Sequence, residues 1–147
     1  MLIGIPGVGK STWIKDNSKP DDVVISADYF VDMEAARINS TYDVVVKTYF
    51  KQAEVLMLTL LRTAIAQDRD LIWDQTNTTA KTRRKKINKV PLYYEKHAVV
   101  FKTPEPEEHA RRLDRPGKTI PKFVLERMAK QFEFPTPAEG WDSITEI

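Results

Sequence analysis

Short apolar runs alternate with longer amphipathic segments along the whole chain. Five runs bounded by polar or turn-forming residues predict β-strands at Met1–Ile5, Val23–Ser26, Leu71–Asp74, Ala98–Lys102 and Ser143–Ile147. Between them lie helical patterns, which start at Ser11–Lys15 and continue at Tyr42–Gln67, Thr79–Lys89, Pro104–Arg112 and Pro121–Phe132. This alternation predicts an α/β fold with a mainly parallel sheet of four to five strands and helices on both faces.

The composition is typical of one globular domain. The chain has 147 residues, of which 41% are hydrophobic and 30% charged, so we expect residues 1–147 to fold as a single unit. The absence of cysteine excludes disulfides and thiolate metal sites. No apolar stretch is long enough to span a bilayer, and the first strand leaves no room for a secretory signal. These features predict a soluble protein of the cytoplasm, with no membrane partner.

A complete phosphate-binding motif follows the first predicted strand. Residues 4–11 read GIPGVGKS, which fits GxxxxGK[ST] between a strand and a helix. Backbone N–H groups in such a loop turn toward phosphate oxygens. We expect Lys10 to reach the β- and γ-phosphates of ATP and the Ser11 hydroxyl to ligate Mg²⁺. The predicted nucleotide-binding residues of this loop are Gly4, Pro6, Gly7, Val8, Gly9, Lys10, Ser11 and Thr12.

Polar residues follow the second and third strands, where a parallel sheet binds its ligands. Asp28 suits a general base on an acceptor hydroxyl, but its spacing fits a helix N-cap equally well. Asp74 is typical of a Walker B aspartate that holds Mg²⁺ directly or through water. Thr76 and Asn77 are placed to reach substrate or nucleotide, whereas Thr78 favours capping of the next helix.

The segment after the fourth strand predicts a lid over residues 111–120. Arg111 and Arg115 are four residues apart, and Pro116-Gly117 interrupts the helix that carries them. Arginines on a lid can fold over a triphosphate and neutralise charge in the transition state. A basic helix C-terminus that complements the helix dipole is the less favoured alternative.

Six cations fall within nine residues of the predicted helix Thr79–Lys89. Only Ile87 and Val90 give this helix an apolar edge, so we expect its charged residues to be solvated. Such a face attracts a nucleic-acid backbone, and Arg84 is the candidate contact, although plain solvation is the commoner role of a charge run. The six are Lys81, Arg83, Arg84, Lys85, Lys86 and Lys89.

Together these residues resemble the kinase domain of the polynucleotide kinase family, which includes phage 5′-kinases and the kinase half of animal kinase–phosphatase enzymes. Residues 4–13 match the family's GxPGxGKSTW loop, and residues 74–77 resemble its D-x-T-N segment. Residues 115–121 resemble the phage lid, and the tail at 130–140 is similar to the animal KQFExPTxAEGF. The resemblance implies a P-loop NTPase-type three-layer sandwich with a helical lid. It also implies Asp28 as general base, and Arg115 with Arg111 on the donor phosphates.

Two departures from the family concern the acceptor. Ala27 stands where the family often has Arg before the base, and Tyr29 and Phe30 occupy the region where phage enzymes carry an arginine for the substrate phosphate. The resemblance therefore predicts the phosphoryl-transfer chemistry better than it predicts the substrate. The predicted substrate contacts are Asp28, Tyr29, Thr76, Asn77 and Arg84.

The resemblance implies an ATP- and Mg²⁺-dependent kinase of nucleic-acid hydroxyls, most directly of the 5′-OH end of DNA or RNA. The alternative is a phage-type kinase of a hydroxymethyl group on a modified pyrimidine, such as 5-hydroxymethyluracil, within DNA; such an enzyme must expose the base. A nucleoside or small-molecule kinase and a non-catalytic ATP-binding switch are the further alternatives.

Overall fold

The computed structural model describes residues 1–147, and it contains five strands and six α-helices. The strands are β1 (Leu2–Ile3), β2 (Val23–Ile25), β3 (Leu71–Trp73), β4 (His97–Val100) and β5 (Ser143–Glu146). The helices are α1 (Lys10–Asn17), α2 (Ala27–Arg37), α3 (Tyr42–Ala66), α4 (Ala80–Ile87), α5 (Pro106–Leu113) and α6 (Lys122–Lys130). A short 3₁₀ turn at Pro137–Glu139 precedes β5. None of the helices is long and apolar enough to cross a membrane.

All the strand pairs are parallel. β4 pairs with both β1 and β5, and β2 pairs with β3. The two groups meet where Leu2 and Asp74 form an isolated parallel bridge and the Gly4 amide donates to the Thr76 carbonyl at 2.9 Å. The lateral order is therefore β2-β3-β1-β4-β5. This arrangement confirms the predicted α/β fold with a mainly parallel sheet.

Helices cover both faces of the sheet because neighbouring strand residues point in opposite directions. Leu2 packs in an apolar cluster that includes Trp13 of α1 and Met128 of α6. Ile3 belongs to a cluster that includes Ile87 of α4. A third cluster joins β2 and β3 to α2 and α3; its buried members are Ile25, Ala27, Val31, Ala35, Val45, Ala53, Met57, Leu61 and Trp73. The sheet thus lies between two helical layers.

Two capping interpretations from the sequence are wrong. The N-cap residue of α2 is Ser26, and Asp28 lies inside the first turn of this helix. The N-cap of α4 is Thr79, whose side chain accepts a hydrogen bond from the Thr82 amide at 3.3 Å, and Thr78 is buried just before it. Because Asp28 does not cap α2, its carboxylate is available for other partners.

The expectation that the charged residues of α4 are all solvated is also wrong. Arg83 is completely buried and pairs with Glu139, two atoms of its guanidinium donating to the two carboxylate oxygens at 2.7 Å each. Lys86 is partly buried and donates to the Asn77 side-chain oxygen. The other four, Lys81, Arg84, Lys85 and Lys89, are exposed. Burial of a charge requires such pairing, since an isolated ion loses its hydration.

Candidate active site

The phosphate-binding loop has the backbone geometry that its glycines allow. Gly7 and Gly9 have φ angles of +83° and +104°, a region that side-chain-bearing residues rarely adopt. A Cβ atom on Gly4 would lie 2.8 Å from Val8 Cγ2, so the loop closes only around a glycine there. α1 begins at Lys10 without a side-chain cap, which leaves its first backbone N–H groups for an anion.

Lys10 lies in the loop with neutral hydrogen-bond partners. Its ammonium donates to the carbonyl oxygens of Gly4 and Ile5, both at 2.9 Å. Burial lowers the pKa of Lys10 to about 8, although the carboxylates of Asp74 and Asp28 act in the opposite direction. A triphosphate would stabilise the charged ammonium and compete for these hydrogen bonds. Lys10 is therefore prepared to bind an anion.

Ser11 and Asp74 line the same cleft and are the candidate Mg²⁺ ligands. Burial raises the pKa of the Asp74 carboxyl, while the nearby Lys10 ammonium lowers it. A hydroxyl and a carboxylate are oxygen donors of the kind that Mg²⁺ prefers, and this ion usually takes one or two protein ligands together with phosphate oxygens and water. The donor set fits Mg²⁺ bound with a nucleotide.

One cleft of about 1130 Å³ at the carboxyl edge of the sheet collects most of the predicted site residues. They are Pro6, Gly7, Val8, Gly9, Lys10, Ser11, Thr12, Asp28, Tyr29, Asp74, Thr76, Arg111 and Arg115. Gly4, the first residue of the loop, is buried and does not line the cleft, and Arg84 is exposed on α4 and does not line it either.

Asn77 is absent from the cleft because its side chain is used inside the fold. It is 2% exposed, and its amide nitrogen donates to the carbonyl oxygens of Leu2 and Gln75 at 2.7 and 3.1 Å. Its amide oxygen accepts from Lys86. Both amide hydrogens are therefore occupied, and the structure places Asn77 in a structural position rather than at the substrate.

Helix α5, which leads into the predicted lid, packs directly on the phosphate-binding loop. The His109 ring nitrogen Nε2 lies 2.7 Å from the Pro6 carbonyl oxygen, within hydrogen-bond distance. A Cβ atom on Gly7 would meet Leu113 at 2.9 Å, which shows how closely the two elements approach. Arg111 and Arg115 line the cleft from this side. The two arginines thus line the same cleft as the loop that would hold the phosphates.

Three further functional candidates that the sequence did not single out, Tyr42, Asp32 and Lys118, lie around Asp28. The Tyr42 hydroxyl donates to Asp28 Oδ1 at 2.8 Å. Lys118 Nζ lies 2.8 Å from Asp32 Oδ2 and 3.9 Å from Asp28 Oδ2. The i, i+4 spacing of the two aspartates on α2 is the signal that could have found Asp32. No local pattern identifies Tyr42 or Lys118, because their partners are distant in sequence.

Comparison with known protein families also identifies a P-loop, nucleotide-binding domain. A family model described as an AAA domain matches residues 1–135. Proteins of this family are P-loop, kinase-like domains, and the family includes polynucleotide kinases. A P-loop of this kind binds a nucleotide, typically with Mg²⁺. This chain belongs to the AAA domain family.

Proposed function

We propose that the protein is an ATP- and Mg²⁺-dependent kinase that phosphorylates a hydroxyl of a nucleic acid, in the first place the 5′-OH end of DNA or RNA. The observation that carries this proposal is the convergence of three groups on one cleft. The phosphate-binding loop supplies Lys10, the start of α2 supplies Asp28, and the lid supplies Arg111 and Arg115. Phosphoryl transfer requires a site for the phosphate donor, a base for the acceptor hydroxyl and cations that neutralise the transferred phosphate.

Each part has a distinct task in the proposed reaction. Lys10 and the loop amides bind and orient the phosphates, and Asp28 accepts the proton of the attacking hydroxyl. The lid arginines neutralise negative charge on the transferring group. Mg²⁺, held by Ser11 and Asp74, would supply further charge neutralisation at the phosphates.

A nucleic acid as acceptor is supported by the surroundings of Asp28. Tyr29 lines the cleft next to Asp28, the candidate general base, and 55% of the residue is exposed. Exposed aromatic side chains are platforms on which bases stack. The four exposed cations of α4 would also attract the phosphate backbone of a nucleic acid, whatever its base sequence.

A hydroxymethyl group on a base within DNA is the second candidate acceptor, and the charge of the cleft favours it. Asp28 and Asp32 make the acceptor side acidic, and the nearest cation, Lys118, is already paired with Asp32 at 2.8 Å. A phosphate next to a 5′-OH end meets no unpaired cation among these residues. A flipped base, by contrast, needs stacking rather than a phosphate contact, and Tyr29 offers it.

The test is transfer of label from γ-labelled ATP to two duplexes. The first has ordinary bases and 5′-OH ends; the second has blocked ends and internal hydroxymethyl-pyrimidines. Label on the first alone supports the end kinase, and label on the second alone supports the base kinase. Label on neither duplex, with ATP bound, contradicts a nucleic-acid acceptor, and a free nucleoside in a third reaction then tests a small acceptor. Asp28→Asn should bind ATP and lose the transfer.

A further inference from the structure

The residues that follow the lid helix are fastened to the start of α3 by reciprocal hydrogen bonds. The Asp43 amide donates to the Gly117 carbonyl at 3.0 Å, and the two Asp43 carboxylate oxygens accept from the Thr119 amide at 2.9 and 3.0 Å. Gly117 has a φ angle of +74°, and a Cβ atom there would lie 2.9 Å from Thr41 Cβ. We call Gly117–Thr119 the latch. Only glycine fits its first position.

The latch carries Lys118 to the acceptor side of the cleft. The Lys118 side chain is 21% exposed, and its ammonium stands 4.0 Å from the centre of the Tyr42 ring. It forms its short contact with Asp32 and lies 3.9 Å from Asp28 Oδ2. At 3.9 Å the Lys118 ammonium attracts Asp28 Oδ2 electrostatically but is too far away to donate a hydrogen bond to it.

The two oxygens of the Asp28 carboxylate therefore have different surroundings. Oδ1 accepts a hydrogen bond from the Tyr42 hydroxyl at 2.8 Å, whereas Oδ2 lies 3.9 Å from the Lys118 ammonium. Burial raises the pKa of Tyr42 well above its ordinary value, and the Asp28 carboxylate raises it further. The Tyr42 hydroxyl thus stays protonated at neutral pH and can donate to Oδ1.

We propose that Tyr42 and Lys118 are positioning residues for the base: Tyr42 fixes Oδ1, the latch brings Lys118 to Oδ2, and Oδ2 is the oxygen that accepts the proton of the acceptor hydroxyl. This inference rests on the proposed function. In the step, the hydroxyl oxygen forms a bond to the γ-phosphorus and its proton passes to Asp28 Oδ2. The bond between the γ-phosphorus and the β,γ-bridging oxygen breaks, and ADP leaves. Docking of the lid on the start of α3 therefore also orients the Asp28 carboxylate.

The experiment measures kcat, the KM values for ATP and for the acceptor, and the thermal midpoint of four variants: Tyr42→Phe, Lys118→Met, Lys118→Arg and Gly117→Ala. Lys118→Met keeps a side chain over the Tyr42 ring and removes the charge. General base catalysis contributes about 10²–10⁴-fold, so a misplaced base should lower kcat about 10- to 100-fold. We expect this fall in Tyr42→Phe, Lys118→Met and Gly117→Ala, with both KM values unchanged, and recovery in Lys118→Arg.

Two control variants separate positioning from stability. Gly140 has a φ angle of +90° and nothing within 4 Å of a Cβ atom, so Gly140→Ala imposes similar backbone strain outside the cleft and should keep kcat. Tyr49→Phe removes a hydroxyl from the same helix as Tyr42 and should also keep it. The double variant Gly117→Ala/Lys118→Met should fall no further than Lys118→Met alone, because the latch acts through that lysine.

Three results would overturn the inference. Unchanged kcat in Tyr42→Phe or in Lys118→Met would show that the corresponding residue does not position Asp28. A higher acceptor KM at constant kcat would make Lys118 a substrate contact. Additive losses in the double variant would separate the latch from Lys118. Absence of transfer by the wild-type protein to every acceptor is a different result, since it overturns the proposed function itself.

Discussion

Arg83 and Lys10 are both withdrawn from water in this protein, and the fold treats them in opposite ways. Arg83 is fully buried with every nitrogen engaged: Nε and Nη2 donate to Glu139 at 2.7 Å, and Nη1 donates to the carbonyl oxygens of Asn77 and Glu133 at 3.0 and 2.8 Å. A buried charge with its full set of partners holds distant segments together. Arg83 joins α4 to a tail more than 50 residues away.

Lys10 has the opposite surroundings. Its partners are two neutral carbonyls of its own loop, and burial lowers its pKa to about 8. The nearest carboxylates, Asp74 and Asp28, act on it through space. Arg83, with its complete set of partners, therefore serves the fold, whereas Lys10, which lines the cleft and has no carboxylate hydrogen-bond partner, is available to a ligand.

The largest effect that should sharpen this contrast is loss of stability in Arg83→Met. The substitution leaves the Glu139 carboxylate, whose side chain is 7% exposed, without its partner. We expect a loss of about 3–5 kcal/mol in the free energy of unfolding, because an uncompensated charge stays buried. Urea unfolding followed by circular dichroism measures it. Arg83→Met/Glu139→Gln should recover part of the loss, and an equal loss in both variants would contradict a charge effect.

Lys10→Met should produce the reverse pattern. We expect phosphoryl transfer to fall by about 10²–10³-fold, the loss typical of removing one preorganised donor at a developing charge. Stability should be unchanged or higher, since a partly desolvated ammonium is removed. Initial rates and urea unfolding of the same sample check both parts. Lys15→Met removes an exposed lysine of α1 and serves as the matched control. A destabilised Lys10→Met would break the comparison.

The pH dependence of stability should report the lowered pKa of Lys10. The unfolded chain holds this proton with a pKa near 10.5 and the folded protein with a pKa of about 8. The unfolded state therefore binds more protons between these values, and the free energy of unfolding should rise across this window as pH increases. We expect a contribution on the order of 3 kcal/mol to be missing in Lys10→Met.

Lys86 gives an independent contribution of the same sign, because burial also lowers its pKa to about 8. Lys86→Met should therefore flatten the same part of the profile, and the two substitutions should add. A profile that is identical in wild type and Lys10→Met would show that Lys10 is solvated in the folded protein.

The meeting of the phosphate-binding loop with Asp28 and Asp74 on one cleft could be predicted from the sequence because the signals are local. The loop at residues 4–11, the strand before it and the helix after it are contiguous, and the strand ends place Asp28 and Asp74 at one edge. α2 was not predicted as a helix, since the exposed Tyr29 and Met33 obscure the buried positions Val31 and Ala35.

The acceptor half and the buried ion pair depend on contacts between distant segments. Lys118 meets Asp32 across 86 residues, and Arg83 meets Glu139 across 56. Periodicity describes only one element at a time, so it assigned Arg83 to a solvated face. Asn77 follows a strand end and was therefore predicted as a substrate contact, whereas its side chain donates to the carbonyl of Leu2, 75 residues away in the sequence. These are tertiary effects that no local window contains.

The smallest expected effect concerns the other contact between the tail and α4. Glu133 Oε2 accepts from the Ala80 amide at 2.6 Å, in the first turn of the helix that carries Arg83. Glu133 is exposed, so Glu133→Ala removes a cap without burying a charge, and we expect a loss of about 1 kcal/mol with kcat unchanged. Glu126→Ala, on the exposed side of α6, is the control and should lose less. Both are measured by urea unfolding. A loss in Glu133→Ala as large as that in Arg83→Met would mean that the tail is held by surface capping rather than by the buried pair.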